Sequence, residues 1–166
     1  RLDAELILSH VLNTSRTWLI AHANDNIHDA IKLENASKLL AKRLQRVPVA
    51  YLTNHKEFYN RSFFVDESVL IPRPESETII ELLKELVKTP DQRLLDIGTG
   101  SGALGITAKL EFPDLSVTVS DISDEALRIA RKNASLLGAK PIRFIQSDLL
   151  DYWLSHNNPT KFDLII

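Results

Sequence analysis

Apolar side chains in the first 45 residues recur at helical spacing, whereas later apolar runs are short and continuous. The spacing predicts one amphipathic helix over residues 2 to 12 and another over about residues 29 to 45. Ser15 lies between them and can cap a short helix, because its side chain can accept a hydrogen bond from a helix N–H group. We expect the long helix to bury one stripe of side chains: Ile31, Ala36, Leu39, Leu40 and Leu44.

After Pro48 the chain continues with short aromatic runs, which predict a β-hairpin. Its predicted strands are Lys56 to Tyr59 and Ser62 to Val65, with Asn60-Arg61 as the turn.

Two prolines then flank an arginine, in the order Pro72-Arg73-Pro74. Proline fixes its own φ and restricts the residue before it, so this stretch is predicted to be extended and stiff. Pro74 also suits the first turn of a helix that continues to Val87.

From residue 94 onward, apolar runs alternate with helical patterns, which predicts an α/β sheet. The predicted strands and helices are, in order, Leu94 to Ile97, Ala103 to Glu111, Ser116 to Ser120, Asp124 to Leu137, Ile142 to Ile145 and Phe162 to Ile166.

The first of these strands runs into a glycine-rich turn, Gly98-Thr99-Gly100-Ser101-Gly102, and then into a helix. Glycine permits positive φ and close approach of a ligand, and the helix N-terminus presents free N–H groups. This arrangement is typical of α/β sheets that bind nucleotide-like ligands. The loose dinucleotide fingerprint also fits the turn, with Ala103 as its last position, so NAD remains a possible ligand.

Acidic residues follow the next two predicted strands. Asp121 stands where ribose hydroxyls are bound in nucleotide-binding sheets, which suits NAD and S-adenosylmethionine (SAM) equally. Asp148 follows the third strand and is either a ligand contact or a helix cap before Leu149-Leu150.

Composition narrows the class of protein. The 166 residues are 44% hydrophobic with a net charge of −2, which is typical of soluble globular proteins without a strong pull toward nucleic acid. The absence of cysteine excludes disulfides and thiolate metal sites, and the histidines lack paired metal spacing. No apolar run is long enough for a membrane span. We expect a cytoplasmic protein with no bound metal, membrane or nucleic acid.

Asp96 lies two residues before the first glycine, and the resulting D-x-G-x-G-x-G pattern resembles motif I of class I SAM-dependent methyltransferases. The stretch from Tyr51 to Glu77 resembles the signature before motif I in the HemK/PrmC family, the protein-(glutamine-N5) methyltransferases of peptide chain release factors. The family usually has glycine at the position of Asn54, and asparagine also tolerates positive φ. The matching residues are Pro48, Tyr51, Leu52, Glu57, Phe58, Phe64, Val65, Leu70, Ile71, Pro72, Arg73, Pro74, Glu75 and Glu77.

The resemblance implies a class I SAM-dependent methyltransferase sheet of Rossmann-like type, incomplete here. A small helical substrate-recognition domain over residues 1–50 and a β-hairpin linker over residues 51–74 would precede it. Residues 75–166 would form the N-terminal part of the SAM-binding domain. Because the family's remaining strands are missing, we expect the first and fourth strands of this sheet to be short of neighbours.

The resemblance also implies a cofactor and its contacts. SAM would be held at its methionine end by Asp96 and the backbone of Gly98, Thr99, Gly100 and Gly102. Asp121 would bind the ribose, and Asp148 with the adjacent Leu149 would bind the adenine. Pro72 and Arg73 would lie near the mouth of the active site.

The implied reaction is methylation of the glutamine in the Gly-Gly-Gln loop of peptide chain release factors. The family's catalytic Asn-Pro-Pro-Tyr motif would follow Ile166, so we expect no catalytic residue within the chain. No methionine is present and the last apolar run ends abruptly, so the chain is expected to be a fragment without activity of its own.

Other functions remain open at this point. Methyltransferases of ribosomal protein glutamine or DNA adenine share motif I, and an NAD-dependent oxidoreductase fits the glycine turn. The helical region could also be a non-catalytic module that binds release factors. The end of the predicted helix over about residues 29 to 45 is basic. Two explanations remain open: cations are favoured near a helix C-terminus, or this end docks an acidic partner or RNA. The basic residues are Lys38, Lys42, Arg43 and Arg46.

Overall fold

The computed structural model describes residues 1–155 and 160–166, and His156 lies outside them. The described residues form two compact units, Arg1–His55 and Lys56–Ile166. The helices are α1 (Leu2–Leu12), α2 (Arg16–Ala21), α3 (Ala30–Leu44), α4 (Val49–Thr53), α5 (Glu77–Leu86), α6 (Ala103–Glu111), α7 (Asp124–Leu137) and α8 (Asp151–Ser155). The strands are β1 (Lys56–Phe58), β2 (Arg61–Phe63), β3 (Arg93–Ile97), β4 (Ser116–Asp121), β5 (Ile142–Gln146) and β6 (Leu164–Ile165).

The first unit consists of α1 to α4, in which α1 contacts the other three helices. Ser15 caps α2 as predicted, since its side chain accepts a hydrogen bond from the Trp18 N–H group. The pattern did not predict α4, which ends at Asn54. Asn54 has a φ of 52°, which confirms that asparagine serves here in a turn with positive φ.

The predicted buried stripe of α3 is wrong at both ends. Ala36 is buried, but Ile31 and Leu44 are 72% and 86% exposed. Ile31 lies five residues before Ala36, which is about 140° around the helix, and Leu44 lies eight residues after Ala36, about 80° around. The predicted stripe is therefore broader than the face of α3 that is buried.

Two of the four cations near the end of α3 have acidic partners within the first unit. The Arg43 Nε atom lies 2.6 Å from an Asp3 oxygen, and the Lys38 Nζ atom lies 2.7 Å from a Glu34 oxygen. These pairs reduce the positive charge that this end of the helix offers to a partner.

In the second unit, the predicted hairpin exists but its turn lies one residue earlier. Phe58 pairs with Arg61, so the turn is Tyr59-Asn60, with φ values of 49° and 55°. Tyrosine rarely adopts positive φ, and tertiary contacts hold it there. The Tyr59 N–H group donates to Glu77 at 2.9 Å, and the Tyr59 hydroxyl donates to Glu81.

The main sheet is parallel and has the order β5-β4-β3-β6, which confirms the predicted α/β class. The expectation that its first strand is short of neighbours is wrong, because β3 is central and pairs with both β4 and β6. Among the described strands, β6 is an edge, as expected for the fourth strand. The hairpin, α5, α6 and α7 contribute to one core cluster with the sheet, and Leu95, Ile145 and Trp153 form another.

No helix in the described part of the chain is long and apolar enough to span a membrane.

Candidate functional site

The candidate site lies at the carboxyl ends of three adjacent parallel strands. Asp96 is near the end of β3, Asp121 ends β4, and Asp148 follows β5 by two residues. Because these strands pair side by side in parallel, their carboxyl ends share one edge of the sheet, where α/β proteins bind ligands.

The glycine turn has the backbone conformation that its sequence predicts. Gly98, Gly100 and Gly102 have φ values of 69°, 55° and 82°, which side-chain-bearing residues rarely adopt. A Cβ atom on Gly98 would have no heavy atom within 4 Å, and one on Gly100 would reach only the Gly98 carbonyl oxygen, at 4.0 Å. The space above these two glycines is therefore open to a ligand.

Gly102 has a different role, because it packs rather than faces open space. A Cβ atom there would lie 2.5 Å from Ile106 Cδ1 and 3.2 Å from Ala130 Cβ. The glycine lets the turn approach α7 closely.

Asp96 is only 3% exposed and supports the turn from below. Its Oδ2 atom accepts hydrogen bonds from the Thr99 hydroxyl at 2.7 Å and from the Gly105 N–H group at 2.9 Å. The second bond satisfies an N–H group in the first turn of α6. A Cβ atom on Gly105 would lie 2.9 Å from Asp96 Oδ2, so a glycine is needed at that position.

Burial raises the pKa of Asp96 from 3.8 to about 6, and the negative charge of Asp121 adds to the rise. The hydrogen bonds from Thr99 and Gly105 act in the opposite direction. Desolvation is the larger effect because little water reaches this carboxyl group.

Asp121 holds the turn from the neighbouring strand. Its Oδ2 atom accepts from the Gly100 N–H group at 2.9 Å, and its Oδ1 atom accepts from the Ser123 N–H group at 3.0 Å. The Thr99 N–H group also donates to the Ser120 carbonyl oxygen, at 2.9 Å. The carboxylate is half-buried, and its two oxygens can each accept a further hydrogen bond.

Asp148 is exposed, and its carboxylate forms no hydrogen bond or ion pair with any residue in the described ranges. The Tyr152 N–H group at the start of α8 instead donates to Ser147 Oγ, at 3.0 Å. Ser147 therefore does what a helix-capping Asp148 would do. Leu149 is 67% exposed and has a φ of 45°, a strained conformation for a bulky residue.

Pro72 is half-buried and Arg73 is exposed, in a stretch that is extended as predicted. Arg73 has φ and ψ values of −93° and 138°. Within the described residues, no hydrogen bond or ion pair joins its guanidinium to the acids at the strand ends.

The sequence gives a signal for one further residue that the predictions did not use. Asn133 is fully buried on the face of α7 that also buries Ala126, Ile129 and Ala130. It donates a hydrogen bond to the carbonyl oxygen of Ser101 in the glycine turn. An asparagine on an otherwise apolar helix stripe needs polar partners, and this is how it could have been found.

No group of acidic or histidine side chains in the described parts of the chain could hold a metal ion.

Residues 76–166, more than half of the chain, match the family described as the methyltransferase small domain. The chain belongs to the methyltransferase small domain family. Residues 1–53 match a second family, the PrmC N-terminal domain, so the expected resemblance to the HemK/PrmC family is confirmed.

Similar proteins match across the whole chain. The chain is 43% identical to a release factor glutamine methyltransferase of Leptospira interrogans, with all of this chain and 58% of that protein aligned. A protein of the same name from Bacillus anthracis is 39% identical, over 98% of this chain and 57% of that one. The chain thus spans about 58% of the length of the curated relatives it matches.

A solved structure supports the fold. The SAM-dependent methyltransferase from Agrobacterium tumefaciens aligns with a TM-score of 0.55 and 22% identity, over 67% of this chain and 37% of that chain. Together with the family match, it confirms a partial class I methyltransferase fold in this methyltransferase small domain protein.

Proposed function

We propose that the protein containing this chain uses SAM to methylate the side-chain amide nitrogen of the glutamine in the Gly-Gly-Gln loop of release factors. The observation that carries the proposal is the similarity to release factor glutamine methyltransferases, which reaches 43% identity and includes both structural units. Similarity confined to the glycine turn would support only SAM binding.

The residues at the strand ends fit SAM. The open space over Gly98 and Gly100 would receive its methionine end, and Asp121 has acceptor capacity left for ribose hydroxyls. The carboxylate of Asp148 has no partner among the described residues and stands beside the strained Leu149, where the adenine would bind. Asp96 would act mainly by fixing the turn, because both hydrogen bonds to its carboxylate come from Thr99 and Gly105.

An amide nitrogen is a weak nucleophile because its lone pair is delocalised into the carbonyl group. When bound, SAM supplies an electrophilic methyl group on its sulfonium. The contribution of this chain is to hold the cofactor in a fixed orientation, since alignment alone lowers the barrier of such a transfer. The Asn-Pro-Pro-Tyr motif expected after Ile166 would hold the planar amide, and Pro72 and Arg73 would border the entrance.

Cofactor choice is tested by calorimetric titration of the 166-residue chain with S-adenosylhomocysteine (SAH) and with NADH. We expect SAH to bind and NADH not to bind. Asp121→Ala should weaken SAH binding at least about tenfold, or about 1.4 kcal/mol. The matched control is Asp114→Ala, an exposed acid before the opposite end of β4. Binding of NADH without SAH would establish the dehydrogenase alternative.

The substrate is tested with the full-length protein, because the chain covers only about 58% of its relatives. We expect methyl transfer from labelled SAM to a release factor and none when the loop glutamine is replaced by alanine. Labelling of a ribosomal protein or of DNA adenine instead would overturn the substrate assignment.

We also propose that the helical unit recognises the release factor in the cytoplasm, with the match of residues 1–53 to the PrmC N-terminal domain as support. Lys38→Glu with Lys42→Glu should weaken binding of a release factor to the chain, if the basic end of α3 takes part. Lys140→Glu, in the second unit, is the matched control. Equal binding by all three proteins would contradict a role for these lysines.

A further inference from the structure

Asn133 joins two segments that are far apart in sequence. Its Nδ2 atom donates to the Phe64 carbonyl oxygen at 2.9 Å and to the Ser101 carbonyl oxygen at 2.8 Å. Its Oδ1 atom accepts from the Phe64 N–H group at 2.8 Å. One fully buried side chain therefore bonds both to the segment after the hairpin and to the glycine turn.

The same helix holds this segment through two further contacts. The Lys132 ammonium lies 3.0 Å from the centre of the Phe64 ring, and Arg128 pairs with Asp66 at 3.6 Å. Val65 is fully buried and Val69 is 5% exposed, so the segment is anchored just before Pro72 and Arg73. Among these contacts, only Asn133 also reaches the glycine turn.

Only an amide side chain suits the position, because two donors and one acceptor are required. An aspartate would place a negatively charged oxygen against two carbonyl oxygens, and a leucine would leave the three backbone groups without these hydrogen bonds.

We propose that Asn133 is a positioning residue that couples the cofactor turn to residues 64–73, so that SAM binding also stabilises the segment carrying Arg73. The inference rests on the proposed binding of SAM. Coupling between two sites is reciprocal, so a well-ordered segment 64–73 also favours cofactor binding.

Amide hydrogen exchange measures this coupling directly, because the Phe64 N–H group is bonded to Asn133. At an SAH concentration 100 times its Kd, exchange at Phe64 should slow by up to about 100-fold. Exchange at Gly100, in the turn itself, should slow as well. The Tyr59 amide is the internal control, because it is held by Glu77 and should not respond.

The variant Asn133→Asp should retain SAH-dependent slowing at Gly100 but lose it at Phe64, where the change should fall below about twofold. Ser135→Ala, an exposed position on the same helix, is the matched control and should behave like the wild type. A purely structural role for Asn133 would change the baseline exchange rate but not its dependence on SAH.

The inference is overturned if SAH slows exchange at Gly100 but not at Phe64 in the wild type, a result that needs no variant to fold. It is also overturned if Asn133→Asp shows the wild-type response. If SAH changes neither amide and no binding heat is detected, the proposed SAM binding fails first and the coupling fails with it.

Discussion

The two units bury their apolar side chains to very different extents. In residues 1–55 the buried apolar side chains are Ile7, Ala36 and Leu52, whereas the second unit has a continuous core that includes the hairpin, α5 and the sheet. The first unit also exposes many large apolar side chains: Leu2, Leu6, Trp18, Ile20, Ile31, Leu33 and Leu44. Similar apolar spacing in the sequence thus leads to different burial.

The reason is geometric. A sheet offers a broad face, and several helices with correctly spaced apolar residues can be buried against it together. A few short helices contact one another along narrow stripes, so apolar side chains outside those stripes stay exposed. The comparison predicts that substitutions at apolar positions have large effects in the second unit and small effects at many positions of the first.

Leu95→Ala should give the largest effect. Leu95 is fully buried on the central strand β3 and packs in the cluster that contains Trp153. Loss of its methyl groups and the resulting cavity should lower the free energy of unfolding by about 3–5 kcal/mol. Urea unfolding followed by Trp153 fluorescence, in a Trp18→Phe background, measures the change.

Leu82→Ala is the control for that experiment, since Leu82 is 57% exposed on α5. It should change the free energy of unfolding by less than about 0.5 kcal/mol. Similar losses for the two variants would contradict the dense core of the second unit.

Asp96→Asn should have the next largest effect on the free energy of unfolding, and this effect should depend on pH. Burial raises the pKa of Asp96 from 3.8 to about 6, so folding favours the protonated form. The stabilisation by protonation is complete below about pH 4 and is lost as the pH rises through about 6. At pH 7 the charged carboxylate then costs about 3 kcal/mol, and asparagine removes this cost while its oxygen can still accept both hydrogen bonds.

The measurement is the difference in urea unfolding free energy between Asp96→Asn and the wild type at several pH values. The variant should gain relative stability between pH 4 and 6 and then reach a plateau. A difference that does not vary with pH would contradict the burial of a charged carboxylate under the glycine turn.

Glu5→Gln in the first unit should show the opposite pH dependence and a smaller effect. Hydrogen bonds from Arg16 and then Arg1 lower the pKa of Glu5, so folding favours its charged form. The stabilisation is present above the ordinary pKa of 4.5 and is lost as the pH falls through the lowered value. The variant should therefore be less stable than the wild type at pH 7, and this difference should shrink as the pH falls below 4.5.

Arg16→Gln tests the same hydrogen bond from its other end. If Glu5→Gln and Arg16→Gln are additive at pH 7, the two side chains do not interact in solution and the prediction fails.

Local sequence patterns predicted most strands and helices of the second unit, because the apolar residues that favour each element are also the ones buried in its core. The glycine turn was predicted correctly from neighbouring residues alone. Ser123 and Gly138 end α7 with residue types that helix caps prefer. What the sequence did not reveal depends on distant contacts. The turn at Tyr59 is held by Glu77 and Glu81, which no local pattern could show.

The candidate site divides in the same way. The strand-end acids could be located because parallel strands place their carboxyl ends together, a general rule of α/β sheets. The sequence did not show that the Asp96 carboxylate accepts hydrogen bonds from Thr99 and Gly105. It also did not show that Ser147, rather than Asp148, accepts the hydrogen bond from the start of α8. Those roles depend on distances that only folding determines.

Ile31→Ala should have the smallest effect on the free energy of unfolding, although Ile31 belongs to the predicted apolar stripe of α3. Ile31 is 72% exposed, so removing its side chain loses little burial, and alanine has the higher helix propensity. We expect the free energy of unfolding to change by less than about 0.5 kcal/mol, measured by Trp18 fluorescence in a Trp153→Phe background. Ile7→Ala is the comparison variant, because Ile7 is fully buried in the same unit. Its substitution should lower the free energy of unfolding by about 2–5 kcal/mol. If Ile31→Ala lowers the free energy of unfolding by more than about 1 kcal/mol, this side chain is buried in solution, as the predicted stripe of α3 requires.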